Sequence, residues 1–429
     1  MSGYKKILLP SIIIIYACLF NQAFSQSSIT SPYSHYGVGD LLSISNTRNR
    51  SMGSIGYAQR GYYNINPLNP ASYTSYDSMS FVFEGGMRGS FVTLNTNELS
   101  ENASSAGLDF LFFGFPVSKR LGVSFGTMPF STVGYKILDK QIDPLLGEVD
   151  YYYQGDGGLN QYYIGVAFKL HKNFSIGVNA IYLAGDLERS RLLHFPDSAT
   201  ILNTRIRDNI HVSDISYSAG IQYHDILKKG NKINMGLTVS YGNKLKTNTD
   251  NLSETLFGGI NGGYEYYKDT VEYISDIAGD LNLPLHIGGG ILYEIPEKLC
   301  LGGDFTYSFW EDYTISGKTD SLKNSYRINA GLEWIPDNRP ISKYWQKIRY
   351  RVGMSYNNTY LKLNGSSINE FTASVGLGLP LRRQASTINF GAEFGNRGTT
   401  NNALIKETNL RIFIGISITE RWFVKRKYN

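Results

Sequence analysis

Residues 233–242 read INMGLTVSYG. Ile233, Met235, Leu237, Val239 and Tyr241 fall on one side of an extended chain, and Asn234, Gly236, Thr238, Ser240 and Gly242 on the other. Side chains of a strand point alternately to opposite faces, so this period of two marks a strand with one apolar face. The second face carries no Lys or Glu. A soluble sandwich turns charges to water, whereas small uncharged residues suit a packed or hydrated barrel lumen. Residues 410–419 repeat the pattern: Leu410, Ile412, Ile414, Ile416 and Ile418 alternate with Arg411, Phe413, Gly415, Ser417 and Thr419.

Working outward, the same reading places strands near 79–94, 108–117, 121–137, 151–170 (interrupted at 155–158), 174–193, 206–223 and 233–245. Seven more follow near 283–295, 299–315, 326–334, 348–363, 368–381, 387–397 and 404–423. The total is fourteen, and single-chain bacterial barrels have an even number. Connections such as Ser118-Lys119-Arg120, His171-Lys172-Asn173 and Pro296-Glu297-Lys298 are short and charged. Those between Leu193 and Ile206, and between Leu245 and Leu283, are long. Short turns at one end and long loops at the other form the outer-membrane pattern. The expected fold is therefore all-β: a fourteen-stranded antiparallel transmembrane β-barrel over residues 77–424 with an N-terminal plug.

Composition agrees. Charged residues are 18% and aromatics 14% of the 429 residues, with 45 Gly. Few charges with many aromatics and glycines fit a barrel with aromatic girdles. The net charge of +5 is small for this length and shows no long basic stripe, so no nucleic-acid partner is expected. Lys5 and Lys6 precede an apolar run that ends near Phe20, and Ala23-Phe24-Ser25 is a small-x-small cleavage pattern. Residues 1–25 read as a secretory signal peptide, with the bacterial outer membrane as destination. No later stretch has the apolar length of a membrane helix, so any membrane crossing falls to strands. Cys18 lies in the leader and Cys300 is left alone, which excludes an internal disulfide and a four-cysteine metal site.

Residues 26–76 show no sustained alternation. The stretch 61–76, GYYNINPLNPASYTSY, holds two prolines and three asparagines and cannot be an interior strand. Yet Tyr33, Tyr36, Leu41, Ile55, Tyr57 and Ile65 are too many apolar anchors for a disordered tail. The segment reads as a plug in the barrel, with a short helix within 43–51. Residues 425–429 read as a basic periplasmic tail. The six histidines are scattered, and none pairs with Ser or Cys at a catalytic spacing. Neither an enzyme nor a metal or cofactor site is expected.

Four features together resemble the FadL-type outer-membrane transport family. Asn69-Pro70-Ala71-Ser72 precedes the first strand, and the third runs into Met128-Pro129-Phe130. Leu283-Pro284 opens a hairpin that ends on Trp310, and the strands number fourteen. The chain end, with Gly378-Leu379-Pro380-Leu381 and Trp422-Phe423-Val424, is similar to a Bacteroidetes branch that includes PorV-like accessories of secretion machinery. The resemblance implies passive uptake of hydrophobic compounds such as long-chain fatty acids, with lateral exit near strand three.

That resemblance nominates Asn69, Pro70 and Ala71 as a gate. In strand two, Leu111, Phe113 and Phe115 alternate with Phe110 and Phe112, so both faces are apolar. Phe113 and Phe115, with Met128, Pro129 and Phe130, are candidates for a greasy exit path, because Pro removes a ladder donor. The competing reading is ordinary packing against the plug. Asp304, Arg327, Glu333, Arg349, Arg351, Glu393 and Arg411 fall on the lumen face. Three acids against four bases nearly balance, which favours a ladder of ion pairs bracing barrel and plug over a polar conduit. Loop 247–282, rich in aromatics, reads as a capture surface or a lid. Two functions remain: a channel for hydrophobic molecules, and a non-transporting subunit of an outer-membrane secretion or assembly complex. Expected partners are outer-membrane lipid, hydrophobic small molecules and protein subunits of an envelope machine.

Overall fold

A computed structural model describes residues 31–198, 201–242, 244–258, 266–320, 322–381 and 386–422. The expected leader and basic tail lie outside the described residues. Fourteen strand positions follow one another in antiparallel hairpins: β1 Ser80–Asn95, β2 Ser100–Pro116, β3 Leu121–Pro129 with Ser131–Asp143, β4 Gly147–His171, β5 Phe174–His194, β6 Asn203–Ile226 and β7 Lys232–Ser240 with Lys244–Phe257. Then come β8 Tyr266–Asn282 with His286–Ile295, β9 Leu299–Ser308 with Thr314–Ile315, β10 Ser325–Trp334, β11 Arg349–Leu363, β12 Ser366–Pro380, β13 Thr387–Arg397 and β14 Lys406–Arg421. Strand β14 pairs with β1 from Lys406↔Asn95 to Arg421↔Ser80, which closes the sheet into a barrel.

The alternation read from the sequence becomes an inside and an outside. On β7, Asn234 and Thr238 are buried while Leu237 is half exposed on the outer surface. Val352, Met354, Phe371, Val375, Leu410 and Ile414 continue that outer apolar face. Its aromatics stack along the surface: Phe81 on Trp422 at 4.2 Å and Phe113 on Phe125 at 5.0 Å. Such an outward apolar band is what hydrocarbon requires of a barrel wall, because its backbone groups are already satisfied in the ladder.

The third strand breaks where a proline removes a ladder donor. Its two pieces flank Phe130, whose N–H turns to the Leu159 carbonyl at 2.7 Å. Pairing of β2 with β3 runs only from Leu111↔Thr127 to Pro116↔Gly122. Beyond it, among the described residues, residues 100–110 of β2 pair only with β1. Ser131–Asp143 pairs with β4, and Ser131 and Thr132 also pair with a two-residue strand, Asp40–Leu41. The wall thus has a seam between the far halves of β2 and β3. The expected interruption at 155–158 is instead a bend within β4: Gly157 and Gly158 have φ of 108° and 148°, which only glycine adopts readily.

Stretch 247–282, expected as a loop, is mostly strand. Lys244–Phe257 and Tyr266–Asn282 form a hairpin that extends the wall, paired from Lys244↔Asn282 to Phe257↔Tyr266 and joined to β6. Its alternation is hidden by runs such as Tyr266-Tyr267 and by register shifts along the ladder. Lys244–Phe257 also ladders onto β6 from Thr247↔Val212 to Leu256↔Asn203 and buries Leu245, Thr247, Glu254 and Leu256, whereas residues 266–278 of the second strand are exposed, so the period-two signal is confined to part of the hairpin.

Residues 31–76 lie inside the barrel. Their local structure is brief: a 3₁₀ turn Pro32–His35, the strand Asp40–Leu41, a helical turn Thr47–Arg50 and a second 3₁₀ turn Pro70–Ser75. Asn46 caps the helical turn by accepting from the Asn49 N–H at 2.9 Å, and Asn69 caps the last turn by accepting from Ala71 N–H at 3.1 Å. Val38, Met52, Ile65, Ala71 and Tyr73 are fully buried.

Candidate functional site

The lumen is occupied by the N-terminal segment, and three kinds of contact hold it. The first is ionic. Glu333 on β10 accepts two bonds from Arg48 of the segment, at 3.1 Å from Nε and 2.8 Å from Nη2, and one from Arg351 of β11 at 2.7 Å. All three side chains are buried. Arg50 reaches Asp109 of β2 at 3.0 Å. Asp40 pairs with Arg397 of β13 at 2.7 Å, while Ser31 donates to Glu407 of β14. Charges in a membrane barrel turn inward and find partners, because an uncompensated one costs several kcal/mol.

The second is carboxylate-to-backbone bonding. Asp304 accepts from the N–H of Gly56 at 2.6 Å and of Tyr57 at 3.1 Å. Glu84 on β1 accepts from Asn46 and Asn64 side chains, both at 3.0 Å, from Ile65 N–H at 3.2 Å, and from the Ser417 hydroxyl at 2.6 Å. One carboxylate therefore gathers three points of the segment and its neighbouring strand.

The third is close approach of backbone to wall. A Cβ at Gly236 would overlap the Tyr57 carbonyl, one at Gly331 the Met52 carbonyl, and one at Gly353 the amide of Gly53. The small inner-face residues of the strands are thus seats for the segment's main chain, not a water-lined bore.

Asn69, Pro70 and Ala71 sit fully within this packing. Asn69 donates to the carbonyls of Tyr57 at 2.7 Å and Ile221 at 3.2 Å, and Pro70 lies against Gly177 of β5. Met128 is buried in a cluster with Ile65, Tyr73, Tyr76, Phe110, Phe112 and Tyr163. Pro129 ends the first piece of β3, and Phe130 lines a cavity of about 230 Å³ with Leu41, Ile181, Leu183, Leu283 and Trp310. Phe113 and Phe115 do not line the lumen. Strand periodicity sends them outward with Phe81, Phe83 and Phe125, and Phe110 and Phe112 are the inward pair.

Of the lumen charges, Asp304, Glu333 and Arg351 hold the segment as described. Arg411 pairs with Glu393 at 2.6 Å and with Glu370 at 3.3 Å, bridging β12, β13 and β14. Arg327 faces the cavity beside Phe130, and Arg349 faces a larger one of about 960 Å³ at the short-turn end. Sequence reasoning missed Glu84, Asp109, Arg48, Arg50 and Arg60. A signal for the first two existed: each is a lone acid in an apolar strand, Phe81-Val82-Phe83-Glu84 and Leu108-Asp109-Phe110.

This architecture is that of FadL-type barrels. Similar solved structures are the Pseudomonas putida toluene transporter TodX (TM-score 0.59, 12% identity, 91% of this chain and 99% of that one) and a Pseudomonas aeruginosa FadL homologue (0.58, 12%, 90% and 100%). The Ralstonia pickettii toluene transporter TbuX is a third (0.57, 13%, 89% and 99%). At such identities the likeness is one of fold. The BamG family model matches residues 4–429, and the chain belongs to the BamG family. None of the curated proteins matches it.

Proposed function

We propose that this chain is a barrel subunit of an outer-membrane secretion or protein-assembly complex, in which residues 31–76 form a fixed plug and the barrel serves as a closed scaffold. The observation that carries this reading is the anchoring of the segment. The buried Arg48–Glu333–Arg351 triad at 2.7–2.8 Å, the backbone-binding carboxylates Asp304 and Glu84, and the glycine seats would all have to part before anything passed. Parting any one leaves a buried charge or donor unpaired, at about 3–5 kcal/mol for an ion pair. Membership of the BamG family points the same way, towards an envelope machine. In this reading the outer apolar face meets outer-membrane lipid, and the short-turn end faces the periplasm.

The test is extraction from membranes in a mild detergent, followed by sizing and mass spectrometry of what travels with the barrel. Stoichiometric protein partners are expected. A monomer carrying only a hydrophobic ligand at every step contradicts the proposal.

One observation favours a second reading, a channel for hydrophobic compounds with lateral exit near strand three. The seam between β2 and β3 opens beside Phe130, next to the cavity of about 230 Å³ lined by Leu41, Ile181 and Trp310. Proteins of this fold include a "toluene transporter" and a "monoaromatic hydrocarbon channel". This reading requires Asn69-Pro70-Ala71 and the segment around it to move; the scaffold reading does not.

A further inference from the structure

At the short-turn end the segment leaves a vestibule of about 960 Å³ below it, at the upper end of the ~300–1,000 Å³ typical of sites that bury a ligand. Its lining carries eight Lys and Arg against five carboxylates, Asp77 and Glu297 among them. Glu333 is committed to Arg48 and Arg351, and Glu294 lies 3.7 Å from Lys232. Asp225 accepts from Asn173 at 2.8 Å and Tyr223 at 3.2 Å. Lys119, Lys169, Lys298 and Arg349 face the same space, with no ion pair among the described residues.

Deeper in, Arg60 of the segment is bound, among the described residues, only by neutral oxygens: Gln222 Oε1 at 2.9 Å, Thr74 Oγ1 at 3.0 Å and the Ala71 carbonyl at 3.4 Å. Burial pulls its guanidinium down to about 10, as expected of a cation lacking a carboxylate. Lys169 and His224 line the same cavity as Arg60, with Asp225 beside them, and His224 Nδ1 is buried without a hydrogen-bond partner among the described residues. Two cations thus share the cavity. Beside them Tyr62 and Tyr63 stand exposed, ring centres 6.2 Å apart, and Ile226, Ile295 and Leu299 line the rest.

We infer that this vestibule is the docking site for an extended acidic segment of a periplasmic protein, whose carboxylate is received by Arg60 and Lys169 and whose aromatic or apolar side chains lie on Tyr62 and Tyr63. The inference rests on the reading of the barrel as a machine subunit and names the partner's chemistry. Charge complementarity selects this occupant. The chain's own C-terminal Lys425-Arg426-Lys427 has the wrong sign. Anionic lipid headgroups lie outside the ring of turns, whereas the vestibule opens inside it.

Fluorescence anisotropy tests it on the purified full-length barrel in detergent. The probe is a labelled ten-residue peptide alternating Asp and Tyr; its counterpart has Asn for every Asp. Saturable binding of the acidic peptide is expected, weakening with salt and at least about tenfold tighter than the Asn peptide. Arg60→Gln with Lys169→Gln should weaken it about tenfold or more, and Lys268→Gln on the far hairpin should leave it unchanged. Folding is checked by heat-modifiable migration. Lys119→Gln with Lys298→Gln, at the rim and away from the segment, should weaken binding even if the inner pair fails to fold. Equal binding of the two peptides, or no effect of either variant pair, overturns the inference. So does full displacement by phosphatidylglycerol or inorganic phosphate at millimolar concentration, which would make the site one for phosphate groups. Peptide binding by the isolated barrel is read independently of co-purification, so loss of either result leaves the other standing.

Discussion

Glu333 holds two guanidinium groups that come from different parts of the chain, one from the N-terminal segment and one from the adjacent strand. Replacing it by Gln keeps the shape and removes the charge both arginines need. Glu333→Gln should therefore lower barrel stability by about 3–5 kcal/mol, read as an earlier urea-unfolding midpoint in detergent. It should also release the segment to added protease. An unchanged midpoint would show that the triad is not an anchor. A paired glycine experiment isolates the backbone seats. Gly236→Ala places a methyl group on the Tyr57 carbonyl and should cost about 1–3 kcal/mol through overpacking. Gly89→Ala, with no heavy atom within 4 Å of its added Cβ, should stay within about 0.5 kcal/mol of the parent. The late charges Asp304, Glu333, Arg351, Glu393 and Arg411 could be placed on the inner face from the sequence because strand parity fixes them. Arg48, the partner of Glu333, and Arg50, the partner of Asp109, could not, since they sit in a segment with no period to read.

Among the elements, the broken third strand and the long hairpin part company with simple alternation. Pro129 announced the break, because a proline has no N–H to give to the ladder. That the far half of β3 would then pair with Asp40–Leu41 was not legible, since two residues carry no strand signal. Phe113 and Phe115 show the reverse error: their type suggested a greasy path, while their parity already pointed outward. The hairpin was lost because its second strand is exposed over residues 266–278 and register shifts break its ladder. Removing residues 250–276, beyond the Thr249↔Ile277 pair, should leave a heat-modifiable barrel of near-parental yield. Failure to fold would show that the ladder between Lys244–Phe257 and β6 is needed to close the wall. Whether the segment moves can also be fixed covalently. A Cβ at Gly391 would lie 3.7 Å from that of Ser51, within the ~3.5–4.5 Å of a disulfide. Oxidised Ser51→Cys with Gly391→Cys should retain co-purifying partners at parental levels. Loss of hydrophobic-compound uptake on oxidation, restored by reductant, would instead favour the channel.

On the scale of the whole molecule, strand number and the inner and outer faces followed from turn signals and parity, and the closed fourteen-strand barrel bears them out. Function was less legible because a fold does not fix a function, and what bears on it here lies in long-range contacts between residues 31–76 and strands hundreds of positions away. Those contacts make the lumen a packed interior with a basic, partly unsatisfied vestibule at one end and an open hairpin at the other. The central claim is that the protein works as a closed scaffold among partners. Its most direct measurement is quantitative mass spectrometry of the barrel isolated natively from membranes in mild detergent. The account predicts envelope-protein subunits at near-stoichiometric ratio and no bound hydrophobic compound in the lumen. A barrel that emerges as a monomer, with a hydrophobic compound bound at one molecule per chain, would contradict it.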